Sequence, residues 1–399
     1  MMTIVEAANE IGWEIHQEPQ HIALSWLPFI FVSQSNDSCR IPDGFRAYTI
    51  APGAVVRHAG GTRHLIFSPA FIDGLHQGGT LLVAESPLSW LKLMRSDPGH
   101  PFVSALKSYH RAHQTWQIKS QMLDLSQPAI MGIWNVTPDS FSSGFDENAA
   151  SFEHAQKLCA DGADILDIGA ESTRPGAVEI SSQLEIARLE APLEYASKHA
   201  KCPVSLDSRH PETIGWAAEH GYIDIINDVA LNDPDDGNGP NEGARMRRIA
   251  EIANAHSIGL VIMAWQPHNA EVLSFDACLE KIIIQLAQRM DYTFNCGMNM
   301  HAIVVDPGIG FGKGPDNDYR LIFEAPAMLA LLGRPVLIAH SRKRCLARFT
   351  SGNPHEIDLC TAIATAMTLK HGAAIVRVHT PSDAVIARSL VSAFRSSPC

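Results

Sequence analysis

From Ala129 onward the chain alternates between short β-rich apolar runs and longer stretches of helical character. The runs AIMGIWNVT, DILDIGA, PVSLDS, IDIINDV, GLVIMAW, AIVVDPG, PVLIAHS and AAIVRVH begin at residues 129, 164, 203, 223, 259, 302, 335 and 373. Near-continuous apolar runs of this length are strands buried on both faces, as parallel sheets require. Their spacing of 20 to 43 residues leaves room for a crossover helix after each one. SFEHAQKLCADGA, PETIGWAAEHG and ARMRRIAEIANAHS fit those helices, and two of them close on the glycine common at helix C-termini. Eight such units in some 250 residues predict a (β/α)8 TIM barrel. An open doubly wound sheet is the rival, but it would carry a Gly-rich phosphate loop after its first strand, and none is there.

In such barrels chemistry sits at the C-terminal ends of the strands. Those ends carry Asn135 and Asp139; Asp167, Glu171, Thr173 and Arg174; Asp207; Asn227 and Asp228; Met263; Asp306; Ser341, Arg342 and Lys343; and Arg377 and His379. Turn preferences alone would supply Asn, Asp and Ser, but would not favour Arg and Lys. Arg174, Arg377 and His379, with the Thr173 hydroxyl, suit an oxyanion such as a phosphate or diphosphate. Asn135 adds a neutral oxygen for a magnesium ion on that group, since Mg2+ takes few protein ligands. Asp207, Asn227 and Asp306 suit a polar heterocycle with adjacent N–H groups, and Lys343 can donate to that ring. The alternative for Asp207 and Asp306 is an internal ion pair with Lys343 or Arg377, and an empty site would show it. GIGFGKG at Gly308 to Gly314 resembles a phosphate cradle only loosely.

The first 120 residues stand outside the repeat. FRAYTIA, VVRHA, HLIFS and TLLVAE read as strands and SPLSWLKLM as a helix, so a small α+β domain is expected over 1–120, with QIKSQMLDLSQP leading into a barrel at 127–399. His110 and His113 form an H-x-x-H pair without further ligand spacing, which makes a poor metal site. The net charge of -12 offers no field for nucleic acid or an anionic membrane. IALSWLPFIFV is too short to cross a bilayer and is broken by Pro28. The eight cysteines form no C-x-x-C pair, and the N-terminus carries acids where a leader would be basic, so a cytoplasmic protein is expected.

MGIWNVTPDSFSSG and DILDIGAESTRPGA resemble the two signatures of the dihydropteroate synthases. PVSLDS, DIINDV, IVVDPGIGFGK, HSRK and IVRVH follow in that family's order, so the resemblance spans about residue 127 to the C-terminus. It implies a Mg2+-dependent, homodimeric transferase that joins 4-aminobenzoate to a dihydropterin methyl diphosphate. By resemblance Asp207, Asn227, Met263, Asp306, Lys343 and Arg377 would hold the pterin. Thr173, Arg174, Arg377 and His379 would hold the diphosphate, and Asn135 the metal. Phe141, Pro175, Phe311 and Ser341 would line the 4-aminobenzoate pocket, with Asp167, Lys343 and Arg377 as the catalytic groups. The chain departs from the pattern at Met263-Ala264-Trp265, where relatives usually carry Met-His-Met, and at Ala170, Ala339 and Trp134. The strand 5 change admits a second expectation, a pterin-binding paralogue without synthase activity. A pterin-dependent methyltransferase is a third, and it leaves Ser341 to Lys343 without a role.

Overall fold

The computed structural model describes residues 13–16, 30–33, 45–50, 55–58, 79–84, 87–97, 99, 103, 114–136, 147–171, 179–228, 244–267, 270–329 and 332–396. Eight parallel strands form the barrel: β1 (Ala129–Asn135), β2 (Ile165–Gly169), β3 (Val204–Asp207), β4 (Ile225–Asp228), β5 (Gly259–Met263), β6 (Ile303–Asp306), β7 (Leu337–Ile338) and β8 (Ile375–Val378). Their order in the sheet runs β6-β5-β4-β3-β2-β1-β8-β7, and a parallel bridge between Val305 and Val336 brings the two ends together. Each run expected from sequence is a strand here. β7 is two residues long and follows Val336 of the closing bridge.

Around the strands lie α1 (Glu147–Ala160), α2 (Ser182–His199), α3 (Pro211–Glu219), α4 (Ala244–Ala255), α5 (Phe275–Asn295), α6 (Pro315–Leu329), α7 (Pro354–Lys370) and α8 (Pro381–Ser396). Local sequence sets their starts. Proline opens α3, α6, α7 and α8, where its missing N–H costs nothing. Ser181 accepts from the Leu184 N–H to cap α2, and Asn353 from the His355 N–H to cap α7.

Side chains alternate across each strand. Ile130, Trp134, Leu166, Ile168, Leu206, Ile226, Leu260 and Ile262 face the helices and join the main core. Met131, Ile165, Ile225, Val261, Val304, Leu337 and Ile375 point inward and fill the lower barrel. Below them sits a β-hairpin, Thr115–Ile118 against Gln121–Asp124, where a lead-in segment was expected. Its Trp116 is fully buried in the lower barrel cluster and donates its indole N–H to the Ala302 carbonyl at 2.8 Å. A Cβ on Gly259 would come within 3.1 Å of that indole, so β5 begins with the residue that leaves room for it. Lys119, at φ 52°, turns the hairpin and donates its N–H to the Ser257 carbonyl.

Of the N-terminal region, Trp13–His16 pairs with Val55–His58, and Gly79–Ala84 pairs with both Ile30–Ser33 and Phe45–Ile50, all antiparallel. The expected strand HLIFS lies outside the described residues. The helix Pro87–Ser96 packs on α5 and sends Trp90, Leu91, Leu93 and Met94 into the same core cluster as the barrel. Its Arg95 pairs with Asp276 at 2.5 Å and Glu324 at 2.9 Å.

Candidate active site

The strand register assembles a polar ring at the upper mouth of the barrel. Asn135 pairs with Gly169, Gly169 with Asp207, and Asp207 with Asn227, so these four lie on one level. Met263 and Asp306 pair with each other on β5 and β6. Asp167 and Ser205 pair one layer below. Arg377 starts lower still, level with Met131. Only a long side chain can climb from there to the ring.

Arg377 does so between two carboxylates. Its Nε donates to Asp167 at 2.5 Å, and a terminal nitrogen donates to Asp207. Asp167 is fully buried and also accepts from the Ser205 hydroxyl at 2.6 Å and the Asn227 amide at 3.2 Å. It is therefore the centre of a satisfied network, as a buried charge must be. Of the internal pairings weighed from sequence, the one between Asp207 and Arg377 is present. Burial works against the Arg377 charge, yet Asp167 and Asp207 together hold it above the ordinary arginine range. Burial pushes Asp207 up to about 7, with Arg377 opposing it. Burial likewise raises Asp306 to about 6 against the Gly308 N–H, which donates at 2.6 Å.

Beside this charged floor stands an apolar wall of Met263, Trp265 and Phe311, packed as their own cluster. The Lys343 ammonium lies 4.5 Å from the centre of the Phe311 ring. Burial, and then Arg377, lowers its affinity for a proton. Arg342, at φ 56°, turns the chain so that its own side chain faces outward to Asp358 at 2.6 Å, leaving Lys343 to the mouth. The Ser341 hydroxyl lies 2.9 Å from Nδ1 of His379, linking the ends of β7 and β8. Asn135 is half-buried at the end of β1. Phe141, Thr173, Arg174 and Pro175, with Asp139, His110 and His113, lie outside the described residues.

Two strand-end groups serve other purposes. Asp228 is buried on the opposite face of β4 from Asn227 and pairs with Arg245 of α4. Glu171 binds Arg209 through two contacts at 3.0 and 3.1 Å and accepts the Ile180 N–H, bracing the start of the segment after β2.

The GIGFGKG segment is not a phosphate cradle. Lys313 is buried and donates to the carbonyls of Ala264, Gly308 and Phe311 at 2.9, 2.8 and 3.1 Å. A Cβ on Gly308, which sits at φ 68°, would fall 1.7 Å from the Ala264 carbonyl oxygen. Its glycine is there for close approach to the strand 5 loop. Burial brings Lys313 down to about 8.

Sequence reasoning missed Ser205, although its place two residues before Asp207 marks it as inward-facing. It also missed Arg289, which reaches from α5 to the Met263 carbonyl at 2.7 Å, and Gln285, which accepts the Trp265 N–H. No local pattern announces contacts that a helix makes some twenty residues downstream.

With this geometry in hand, the chain is similar to known proteins over the barrel. Residues 131–379 match the family described as pterin binding enzyme. Dihydropteroate synthase of Neisseria meningitidis serogroup C is 36% identical over 276 residues, covering 67% of this chain and 93% of that one. The Bacillus subtilis dihydropteroate synthase is 33% identical over 277 residues, covering 68% and 90%. The solved structure of Xanthomonas albilineans dihydropteroate synthase with 4-aminobenzoic acid superposes with a TM-score of 0.62 at 30% identity, covering 71% of this chain and all of that one.

Proposed function

The chain belongs to the dihydropteroate synthase family, and on that premise we propose how its mouth divides the work of the reaction. The enzyme is a transferase that condenses a dihydropterin methyl diphosphate with 4-aminobenzoate, giving dihydropteroate and diphosphate. The observation that carries the division of labour is the arrangement of buried carboxylates around Arg377. Asp207, Asn227 and Asp306 take the N–H-rich edge of the pterin, and Lys343 donates to its carbonyl or ring nitrogen. Met263 and Arg377 flank the ring. His379 and Arg377, with Thr173 and Arg174, hold the diphosphate. Ser341 and Phe311, with Phe141 and Pro175, border 4-aminobenzoate.

The chemistry follows from charge placement. The bond between the pterin methylene carbon and the diphosphate oxygen breaks as cationic groups take up the leaving charge. Asp167 and Asp207 stabilise the positive character left on the pterin methylene. The amine nitrogen then bonds to that carbon and loses a proton, so position matters more than activation. Asn135 contributes one neutral oxygen, and no cage of three acidic, imidazole or thiol groups stands among the described residues. That donor set suits a magnesium ion arriving on the diphosphate, where it would neutralise the leaving group.

A homodimer is the second part of the proposal. Leu359, Ile363 and Met367 of α7 and Ile386, Leu390 and Phe394 of α8 are all exposed, each set at four-residue spacing. The two helices pack side by side, so the six side chains form one apolar face of the kind that covers a second copy. No described helix is long and apolar enough to cross a membrane. The six described cysteines are free, which fits the reducing cytoplasm where we place the chain.

The test is diphosphate release by the purified chain given dihydropterin diphosphate, 4-aminobenzoate and Mg2+, beside a Lys343→Ala control. Release should depend on 4-aminobenzoate and vanish in the control. Intact pterin binding without release would make this a paralogue, with Trp265 the first residue to restore to methionine.

A further inference from the structure

On the outer wall of the barrel, away from the mouth, α1 and α2 enclose a cavity of about 390 Å3. Cys159 and Cys202 both line it, together with Gln156, Tyr195, His199 and Lys201. The two cysteines are 43 residues apart in the chain. The fold joins them because both α1 and α2 return the chain to the same lower rim, one before β2 and the other before β3. Both thiols are half-buried and hydrogen-bonded to each other.

The other described thiols are of a different kind. Burial raises Cys278, Cys296, Cys345 and Cys360 above the ordinary thiol range. The hydrogen bond from Cys202 instead draws Cys159 down to about 7. Exposed Lys201 lines the same cavity and offers a cation to an incoming anion. Nothing in the synthase reaction uses this cleft.

We propose that the cleft between α1 and α2 is a thiol–disulfide exchange site for small anionic disulfides, with Cys159 as the attacking group and Cys202 as the resolving one. The Cys159 thiolate attacks one sulfur of the disulfide, forming a mixed disulfide and expelling the other half as a thiolate. The Cys202 thiol then loses its proton and attacks Cys159 Sγ, releasing the second half. The products are a Cys159–Cys202 disulfide and two small thiols, so the two electrons lost by the protein reduce the reagent. The site is independent of the synthase assignment.

The probe is 5,5′-dithiobis(2-nitrobenzoate), an anionic aromatic disulfide, added to the full native chain at pH 7. With the Cys202 hydrogen bond drawing Cys159 down, its thiolate fraction at pH 7 exceeds the few per cent of an ordinary thiol. Allowing for the lower nucleophilicity of a less basic thiolate, Cys159 should react about three- to fourfold faster than an ordinary exposed thiol. The fast phase should release two thionitrobenzoates per chain and leave a protein lighter by two hydrogens, with Cys159 and Cys202 linked in a peptide map. Cys202→Ser should stop the reaction at one stable adduct on Cys159, and Cys159→Ser should abolish the fast phase. Melting curves and diphosphate release establish that both variants stay folded. A lasting adduct in the wild-type chain, or labelling of Cys159 no faster than Cys296 and Cys360, overturns the proposal.

Discussion

Replacing Asp306 with asparagine tests the pterin floor through its pH dependence. Burial raises this carboxyl to about 6, so it is about nine-tenths ionised at pH 7 and about one-tenth ionised at pH 5. A pterin that donates N–H groups to Asp306 needs the ionised form. That requirement alone weakens binding about tenfold between pH 7 and pH 5, or about 1.4 kcal/mol. Asp207, raised to about 7, adds a loss of its own in the same direction. The informative quantity is therefore the ratio of wild-type to Asp306→Asn affinity, in which the Asp207 contribution largely cancels. Calorimetric titration with an unphosphorylated 6-hydroxymethyl pterin keeps phosphate ionisation out of the measurement. The ratio should fall about tenfold from pH 7 to pH 5. A ratio that stays flat refutes the assignment of Asp306 to the pterin edge.

The same carboxyl makes an opposite statement about the empty protein. Its folded pKa lies above the unfolded one, so the stability it contributes is present below about pH 4 and is lost as pH rises through about 6, by about 3 kcal/mol. Chemical denaturation should find Asp306→Asn gaining on wild type by that amount from pH 4 to 7; the comparison cancels His340, which burial holds down at about 4 and which acts in the other direction. Placing a charge on the exposed apolar face, as Leu390→Glu, should yield monomers by sedimentation without lowering the melting temperature of the monomer by more than a few degrees. Removing residues 1–84 should leave a stable barrel, whereas removing 1–113 strips Trp90, Leu91, Leu93 and Met94 from the shared core and should cost upwards of about 4 kcal/mol in a urea titration.

Sequence carried the barrel because its units are local. Each strand is a short apolar run, four of the eight closed by Asn or Asp, and six of the eight helices begin or end on proline, serine or asparagine. The polar ring was legible for the same reason, since the period of two puts Asp207 and Asn227 inward once the strands are drawn. The contacts among those residues were not. That Arg377 reaches Asp167, rather than Lys343 doing so, depends on Arg377 rising from the level of Met131, which only the register of β8 on β1 reveals. Asp228 was misjudged as a mouth residue because its neighbour faces the mouth, while it answers to Arg245 on a distant helix. The hairpin beneath the barrel left no local signal, since what makes it a structural element is Trp116 meeting Gly259 and Ala302 far along the chain. Lys313 was read among glycines as part of a possible anion loop, and only its three carbonyl partners show it to be a strut.

That hairpin also governs traffic. With Trp116 beneath the inward side chains that already fill the lower barrel, the barrel has one opening, and whatever goes in must come out the same way. On the proposed assignment, a pterin at Asp207 and Asp306 and a 4-aminobenzoate at Ser341 would both enter through that mouth. Loading and unloading therefore share one mouth, because the end far from the chemistry is packed shut.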